Sequence, residues 1–388
     1  MKISSSAHLT YCTNIHSGEH WEDIFSALKI SVPRIKKKIS PHNAFGVGLR
    51  LSDIASRELL FNSTLESFKD WLHENDLYVF TINGFVFGGF HNVVVKDNVH
   101  APDWSTDARK DFTLRMFHIL SQLLPAGIDG GISTSPLSYR HWCKNENDVK
   151  NVFASSANNI KIVANALHQI KKESGQVLHL DIEPEADGVI ENTDEAIDFF
   201  KNYLLGEDEE IIREHIRICY DACHFAVGYE LPDEAIQKFT NEGIQIGKVQ
   251  ISAALNVFLP KEKDERKKLY EILLPFAESS YLHQTIEKKS SGEFLHYQDL
   301  HQALENIFTT DANEWRIHYH IPVFMQSYGT INSTQEDILA LFYKQRMNKF
   351  TNHFEVETYT WEVLPPTERL PLEESISREL EWTLQHLQ

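Results

Sequence analysis

Cysteine and long apolar runs are both scarce in this 388-residue sequence. Four cysteines, Cys12, Cys143, Cys219 and Cys223, are too few and too scattered for a disulfide scaffold. Cys219 and Cys223 also lack the second closely spaced pair of a structural zinc site. No segment approaches the ~18 uncharged apolar residues of a membrane span, and the polar start MKISSSAHLTY lacks the apolar core of a secretion signal. We therefore expect a reduced, cytoplasmic protein with no membrane insertion.

Positive charge is scarce as well. Acidic residues number 56 against 37 Lys and Arg, which gives a formal net charge of −19 with neutral histidines. A field of that sign repels phosphate backbones and anionic lipid headgroups. The sequence therefore argues against a nucleic-acid partner.

Signatures of nucleotide binding and serine hydrolysis are also missing. The glycines of FVFGGF (85–90) do not form a GxGxxG loop, although this permissive segment suits a lid. Ser133 and Ser135 lack the GxSxG elbow. A dinucleotide site and a serine nucleophile are both unsupported.

What the sequence does contain is a regular alternation of short β-type runs and amphipathic helical patterns. No Pro/Gly/Ser-rich linker or internal repeat interrupts it, and the runs are spaced for serial βα units, which need about 30 residues each. This alternation predicts a single (β/α)8 TIM-barrel domain over residues 1–388. The strand candidates are His8–Asn14, Val47–Ser52, Tyr78–Asn83, Gly131–Ser135, Val177–Glu183, Ile216–Asp221, Lys248–Ser252, Trp315–His320 and Phe354–Tyr359.

These nine candidates exceed the eight strands of a barrel, so one of them is expected to lie outside it. Residues 281–297 are predicted to form a β-hairpin inserted outside the barrel. Residues 372–387 are predicted to form a C-terminal helix that packs on the outside.

Apolar and polar residues alternate along several strand candidates. In the fifth candidate Leu178, Leu180 and Ile182 alternate with His179, Asp181 and Glu183. Because helices cover the outer face of such a barrel, the apolar faces meet the helices and the polar faces point into the lumen. The side chains expected deeper in the lumen, where they would pair with one another, are Arg50, Asp181 and Arg217.

Four polar residues at strand ends are expected to converge at the C-terminal mouth of the barrel, where barrel enzymes keep their active sites. They are Glu183, Asp221, His320 and Glu357. Carboxylates with one imidazole suit a divalent ion such as Mn²⁺, Zn²⁺, Co²⁺ or Mg²⁺. The alternative interpretation is a set of internal salt bridges and strand-end caps, which alternation alone does not exclude.

The segment Asp221–Ala222–Cys223–His224 resembles the Asp-x-x-His segment of the xylose isomerase-like barrel superfamily, which covers sugar isomerases, sugar epimerases and endonuclease IV. In that superfamily a Glu, this Asp, a His and a final Glu or Asp bind metal at successive strand ends. Ile182–Glu183–Pro184 resembles the first ligand strand and residues 355–359 resemble the last.

A closer resemblance, covering nearly the whole chain, is to the metabolite traffic protein EboE family. It implies a metal-type barrel encoded with genes that process or export a secondary metabolite, but it implies no particular reaction. The segments that carry it are HLTYCTNIH (8–16), GVGLRLS (46–52), NGF (83–85), FH (90–91), PDW (102–104), ISTSPLSY (132–139), DIEPE (181–185), CYDACH (219–224), GKVQISAAL (247–255), YLHQ (281–284), WRIHYHIPVF (315–324) and ETYTWEVLP (357–365).

One departure from the superfamily pattern concerns the third ligand. The strand after the Asp strand offers Gln250 where the superfamily has His. His320 lies 37 residues before Glu357, a gap that matches the usual spacing from the His strand to the last carboxylate strand. We therefore expect His320 to complete the site, with Gln250 as the alternative.

The remaining candidates are polar residues near strand ends. In the epimerases the His of the Asp-x-x-His segment contacts substrate, so His224 is a catalytic candidate; the alternative is a helix cap or a core histidine. The predicted substrate-binding residues are His8, Asn14, Asn83, His91 and His318.

The leading hypothesis is a metal-dependent isomerase or epimerase for a small polyhydroxylated or carbonyl metabolite. Glu183 and Glu357 would take and return a proton on opposite faces of the substrate. One alternative is a non-catalytic metabolite carrier, suggested by Gln250 and the aromatic residues Phe85, Phe87 and Phe90. A second is a metal-dependent phosphoester hydrolase. A homodimer paired through the 281–297 hairpin is a further expectation.

Overall fold

Two β-sheets organise the chain in this computed structural model, which describes residues 1–4, 6–89, 95–277, 281–361 and 369–387. The strands in the described residues are β1 (His8–Tyr11), β2 (Phe45–Arg50), β3 (Leu77–Asn83), β4 (Gly130–Thr134), β5 (Leu178–Ile182), β6 (Ile216–Asp221), β7 (Ile246–Ile251), β8 (Ala253–Phe258), β9 (Thr285–Lys289), β10 (Phe294–Tyr297), β11 (Ala312–Ile321), β12 (Ser327–Tyr328), β13 (Ile331–Ser333) and β14 (His353–Val356).

Helices fill most of the segments between these strands. Among the described residues none of them is both long and apolar enough to cross a membrane. They are α1 (Trp21–Ile39), α2 (Asp53–Leu59), α3 (Thr64–Glu74), α4 (Asp107–Leu123), α5 (Glu146–Ser174), α6 (Thr193–Phe199), α7 (Glu209–His215), α8 (Ala222–Val227), α9 (Pro232–Asn241), α10 (Lys263–Leu273), α11 (Leu300–Asn306), α12 (Gln335–Met347) and α13 (Leu372–Leu387). The last helix packs against α1 and α12.

The larger sheet has eight strands in the order β1-β14-β7-β6-β5-β4-β3-β2, and every neighbouring pair is parallel. Its two edges meet through a bridge between Cys12 and Gly48. The Thr10 hydroxyl adds to this closure, since it donates to Gly46 O at 2.8 Å and accepts from Gly48 N at 3.0 Å. The predicted eight-stranded parallel barrel is therefore confirmed.

Gly48 is required at this closure by a close approach. A Cβ atom there would lie 1.8 Å from Glu355 Oε1 and 2.6 Å from Tyr11 O. Any side chain at this position would push β2 away from its neighbours, so the seam of the barrel depends on the glycine.

The second sheet is antiparallel and is built from the chain between β7 and β14. Its six strands follow the order β10-β9-β11-β8-β13-β12. β9 and β10 pair as a hairpin within it, so the predicted 281–297 insertion is one part of a larger addition. Of the nine strand candidates, Trp315–His320 is the one that lies outside the barrel, because it forms the centre of β11.

β8 was not predicted because it follows β7 after only one residue, Ser252. The two strands together read as one apolar run, and periodicity cannot divide such a run between two sheets. The break between β7 and β8 matters for function, because the chain leaves the barrel at Ser252 and builds the second sheet, which faces the mouth.

The predicted inward direction of the polar faces is also observed. A Cβ atom on Gly131 in β4 would lie 2.4 Å from the His179 ring, and one on Gly247 in β7 would lie 1.9 Å from Asp181 Oδ1. His179 and Asp181 belong to β5 and are fully buried. Their side chains therefore cross the lumen, while Leu178, Leu180 and Ile182 belong to the apolar core.

Candidate active site at the barrel mouth

The carboxyl ends of β5, β6 and β14 bring three acidic side chains together with histidines. Glu183 follows β5, Asp221 ends β6 and Glu357 follows β14, and each is no more than 5% exposed. His320 joins them from β11 of the second sheet. The residues that line the pocket at this point are Asn14, Asn83, Phe85, Val86, Val99, Glu183, Glu185, His224, His318, His320, Glu357 and Tyr359.

Asp221 is held firmly by one of its two oxygen atoms. Oδ1 caps helix α8, accepting from Cys223 N at 2.8 Å and His224 N at 3.1 Å, and it also accepts from the Ser252 hydroxyl at 2.6 Å. Within the described residues Oδ2 has no hydrogen-bond partner although it is buried. Burial alone would raise the pKa of Asp221, but His224, His320 and these hydrogen bonds hold it below its ordinary value. One oxygen of an ionised carboxylate is thus directed at the pocket.

Two imidazoles face each other beside Asp221. His224 Nδ1 lies 3.1 Å from Pro184 O and His320 Nδ1 lies 3.1 Å from Glu357 O, contacts that place a proton on each Nδ1. The remaining nitrogens, His224 Nε2 and His320 Nε2, are 3.4 Å apart, and each is 4.0 Å from an Asp221 oxygen. Two lone pairs at this separation repel unless a cation or a proton lies between them.

A histidine must be neutral to bind a metal. Burial lowers the pKa of His320 to about 4, against the opposing charge of Asp221 and with a smaller contribution from His224. Backbone carbonyls that fix the tautomer in this way are the usual outer partners of metal-binding histidines.

Glu183 and Glu357 carry the opposite perturbation. Burial, followed by the charges of Glu357 and Asp221, raises the pKa of Glu183 well above its ordinary value. Burial, followed by the charges of Asp221 and Glu355, does the same for Glu357. Glu183 Oε1 is 3.6 Å from His224 Nδ1, and Glu357 Oε2 is 3.7 Å from His320 Nδ1. Three carboxylates concentrated in a buried site repel one another, so their ionised forms require added positive charge.

Asn14 and Asn83 lie in the pocket, as predicted, and both orient Glu357. The amide nitrogens of Asn14 and Asn83 donate to Glu357 Oε1 at 2.6 and 3.1 Å. Asn83 Oδ1 in turn accepts from Phe85 N at 3.2 Å. These contacts hold one oxygen of Glu357 and leave the other near His320.

Comparison with solved structures identifies the fold. The chain is similar to a xylose isomerase-like TIM barrel protein from Mycobacterium smegmatis in complex with magnesium, with a TM-score of 0.52, 10% identity and coverage of 100% of this chain and 98% of the other. The fold is that of a xylose isomerase-like TIM barrel. At this identity the likeness shows the fold alone.

Two further structures show a weaker likeness to this xylose isomerase-like chain. One is an IolI protein with a bound zinc atom, at a TM-score of 0.49, 12% identity and 98% coverage of both chains. The other is the probable 3-DHS dehydratase AsbF of Bacillus anthracis, at a TM-score of 0.46, 8% identity and coverage of 97% and 98%. No protein-family model and no curated protein sequence matches this chain.

The other predicted site residues are distributed unevenly. His318 lines the pocket, whereas Gln250 is fully buried below it, and within the described residues neither of its amide atoms has a partner. His8 lies at the opposite end of the barrel, where its Nδ1 contacts the Tyr78 hydroxyl at 2.8 Å. We therefore remove His8 from the site, because it begins β1 whereas the mouth is built from strand ends. His91 and Phe90 lie outside the described residues.

The predicted pairing of Arg50, Asp181 and Arg217 in the deep lumen is not observed. Arg50 donates to the carbonyls of Gly18 and Gly88. Asp181 instead contacts His179 at 2.6 Å, and Arg217 contacts Asp129 at 3.1 Å. Each of the three residues pairs with a different group instead, although Asp181 and Arg217 are register neighbours on β5 and β6.

Two residues at the mouth, Glu185 and His100, were not predicted. Glu185 lies two residues after Glu183 in the motif DIEPE, and this spacing was an available signal. His100 ends the short 3₁₀ helix Lys96–His100, where no periodicity marks it. Both are at most 5% exposed.

Proposed function

We propose that this chain is a metal-dependent isomerase or epimerase that acts on a small polyhydroxylated or carbonyl metabolite. The observation that carries the proposal is the pair of facing Nε2 atoms of His224 and His320, 3.4 Å apart beside the unpartnered Oδ2 of Asp221. A divalent cation bound there would remove the repulsion between the two lone pairs, because both Nε2 atoms could coordinate it.

The ion would be held by Asp221, His224 and His320, with Glu183 and Glu357 completing the set. A divalent ion bound there would polarise a carbonyl or hydroxyl oxygen of the substrate and acidify the adjoining C–H bond. His320 takes the place of Gln250 in this set, because His320 Nε2 lies 4.0 Å from Asp221 Oδ2. The neighbour described in complex with magnesium supports a metal in this fold.

The chain's own residues can supply the proton transfers. Glu183 and Glu357 project from strands on different sides of the mouth, so one can remove a proton from a carbon and the other can return it. The raised pKa values of both carboxyl groups favour the protonated form, from which a general acid returns a proton. Asn14 and Asn83 keep Glu357 oriented.

The lining of the pocket favours an uncharged substrate. Among the described residues no Lys or Arg lines it, so a phosphate group would meet carboxylates without a cationic side chain to receive it. This disfavours the phosphoester hydrolase. We also propose membership of the EboE family, in which the barrel would serve secondary-metabolite processing or export.

The test compares bound metal in the wild type with that in Glu183→Gln and Glu357→Gln. Protein prepared without chelator or affinity metal is analysed for Mn, Co, Zn and Mg, then stripped and titrated with each ion. We expect metal in the wild type and at least a ~10-fold loss of affinity in both variants, since even outer partners of a metal ligand contribute 10–100-fold. Glu191→Gln is the matched control, because Glu191 is a half-buried carboxylate that accepts from Asp187 N at 2.7 Å.

The loaded wild type is then incubated with sugars and keto acids in D₂O. Incorporation of deuterium at carbon, absent in both glutamate variants, supports the isomerase. Metal binding without exchange on any substrate favours the carrier. Wild-type protein that holds no metal and takes up none on titration overturns the proposal.

A further inference from the structure

A second group of ligand-type side chains lies beside the Asp221 cluster. Glu185 Oε1 is 3.5 Å from His318 Nδ1, and Glu185 Oε2 is 4.0 Å from His100 Nε2. Glu185, His224 and His318 each place one potential ligand atom within 4.8 Å of the other two. The three residues Glu185, His318 and His100, here called the Glu185 cluster, come from the end of β5, from β11 and from the short 3₁₀ helix before α4.

Several polar atoms of this cluster are buried without a partner. Within the described residues these are Glu185 Oε2, His318 Nε2 and both ring nitrogens of His100, although His100 is 0% exposed. Leaving such groups unpaired in a protein interior destabilises the fold, so a bound ion that uses them is favoured.

Gln284 orients the cluster from outside. Its Oε1 lies 2.8 Å from His318 Nδ1, and its Nε2 donates to Glu185 Oε1 at 3.3 Å and to Ala186 O at 3.1 Å. The contact with Gln284 Oε1 places the proton of His318 on Nδ1 and leaves Nε2 as the free lone pair. This is how outer residues hold a metal-binding histidine.

The Glu185 cluster does not need any ligand of the first site. His224 could bridge the two, but its Nδ1 faces Pro184 O, so its one free nitrogen is the Nε2 that faces Asp221 and His320. The buried charges also favour a second ion at the mouth. The mouth holds four carboxylates, Glu183, Glu185, Asp221 and Glu357, while the buried cation Lys248 is already paired with Glu355 at 2.7 Å.

We propose that Glu185, His318 and His100 form a second divalent-cation site beside the first. Two imidazoles and one carboxylate suit Zn²⁺, Co²⁺, Fe²⁺ or Mn²⁺ better than Mg²⁺ or Ca²⁺, which prefer oxygen ligands. The second ion compensates the negative charge of the fourth carboxylate. It also provides a second position at the mouth where a substrate oxygen can bind.

The test counts ions without reference to activity. Stripped wild type, Glu185→Gln, His318→Gln and Glu183→Gln are dialysed against Zn²⁺ or Co²⁺ and analysed for metal per chain, with the visible absorption of Co²⁺ as a second readout. We expect two equivalents in the wild type and one in Glu185→Gln and His318→Gln. Glu191→Gln is the control and keeps two, and thermal unfolding of the stripped proteins checks that every variant folds.

The outcomes separate this site from the first one. One equivalent in the wild type, retained in Glu185→Gln and lost in Glu183→Gln, overturns the second site and leaves the proposed function standing. One equivalent lost in Glu185→Gln and retained in Glu183→Gln supports the Glu185 cluster and overturns the proposed first site. Two equivalents in both Glu185→Gln and His318→Gln overturn the second site, and no metal in the wild type overturns both.

Discussion

A buried ion pair below the mouth allows a quantitative prediction. Lys248 Nζ lies 2.7 Å from Glu355 Oε2 and 3.0 Å from the Ser133 hydroxyl, and both members of the pair are 0% exposed. Burial alone would lower the pKa of Lys248, but the charge of Glu355 raises it above its ordinary value. The perturbation is Lys248→Met, which keeps an apolar stem of similar length and removes the ammonium group.

The expected cost follows from what Lys248 leaves behind. Glu355 Oε1 already lacks a partner within the described residues, so the variant leaves the whole carboxylate buried without a cation. Breaking a buried pair from one side costs about 3–5 kcal/mol of unfolding free energy. The double variant Lys248→Met/Glu355→Gln removes both charges and leaves one poorly satisfied amide, which costs about 1–3 kcal/mol.

Urea unfolding followed by circular dichroism and by tryptophan fluorescence measures both variants. The double variant should therefore be more stable than Lys248→Met alone, although it carries one more substitution. A single variant that loses less than ~1 kcal/mol, or a double variant less stable than the single one, would refute the reasoning that a charged pair occupies the lumen.

Two further predictions concern Glu379 and Asn83. Burial raises the pKa of Glu379 to about 8 from 4.5, against hydrogen bonds from Thr358 and Val323, so its contribution to stability is full below pH 4.5 and is lost as the pH rises through 8. At 1.36 kcal/mol per pK unit this contribution is at most about 5 kcal/mol. Thermal unfolding at pH 5 and pH 9 should show a smaller loss of stability between the two pH values for Glu379→Gln than for wild type. Equal losses would contradict the raised pKa of Glu379. Asn83→Ala removes a 3.1 Å hydrogen bond to Glu357 and should weaken Zn²⁺ binding about 10–100-fold in a chelator competition, whereas unchanged affinity would show that Glu357 is not a ligand.

Much of the barrel could be predicted from the sequence because its strands obey a simple rule. Alternation in β5 separates Leu178 and Leu180 from His179 and Asp181, and the structure places the first pair in the apolar core and the second in the lumen. What the rule cannot supply is the sheet to which a strand belongs. β11 alternates just as clearly, yet its partners are the antiparallel β8 and β9.

The same limit explains which site residues were predicted. Asp221 and Glu183 were found because they end barrel strands, where position along the chain fixes position in space. His8 was misplaced because it begins its strand, and His100 was not predicted because no periodicity marks its short 3₁₀ helix. The periodicity of a sequence does not predict the position of a side chain that reaches the site only through tertiary packing.

Gln250 and the second sheet are best understood together. Gln250 occupies the barrel position whose β6 neighbour is Asp221, and it offers a neutral amide there. The imidazole that faces Asp221 comes instead from His320, on a strand outside the barrel. The same strand supplies His318 two residues earlier, and one strand face thus presents two histidines to the mouth. The second sheet is therefore a structural part of the candidate site, because the barrel alone would present its carboxylates without these two histidines.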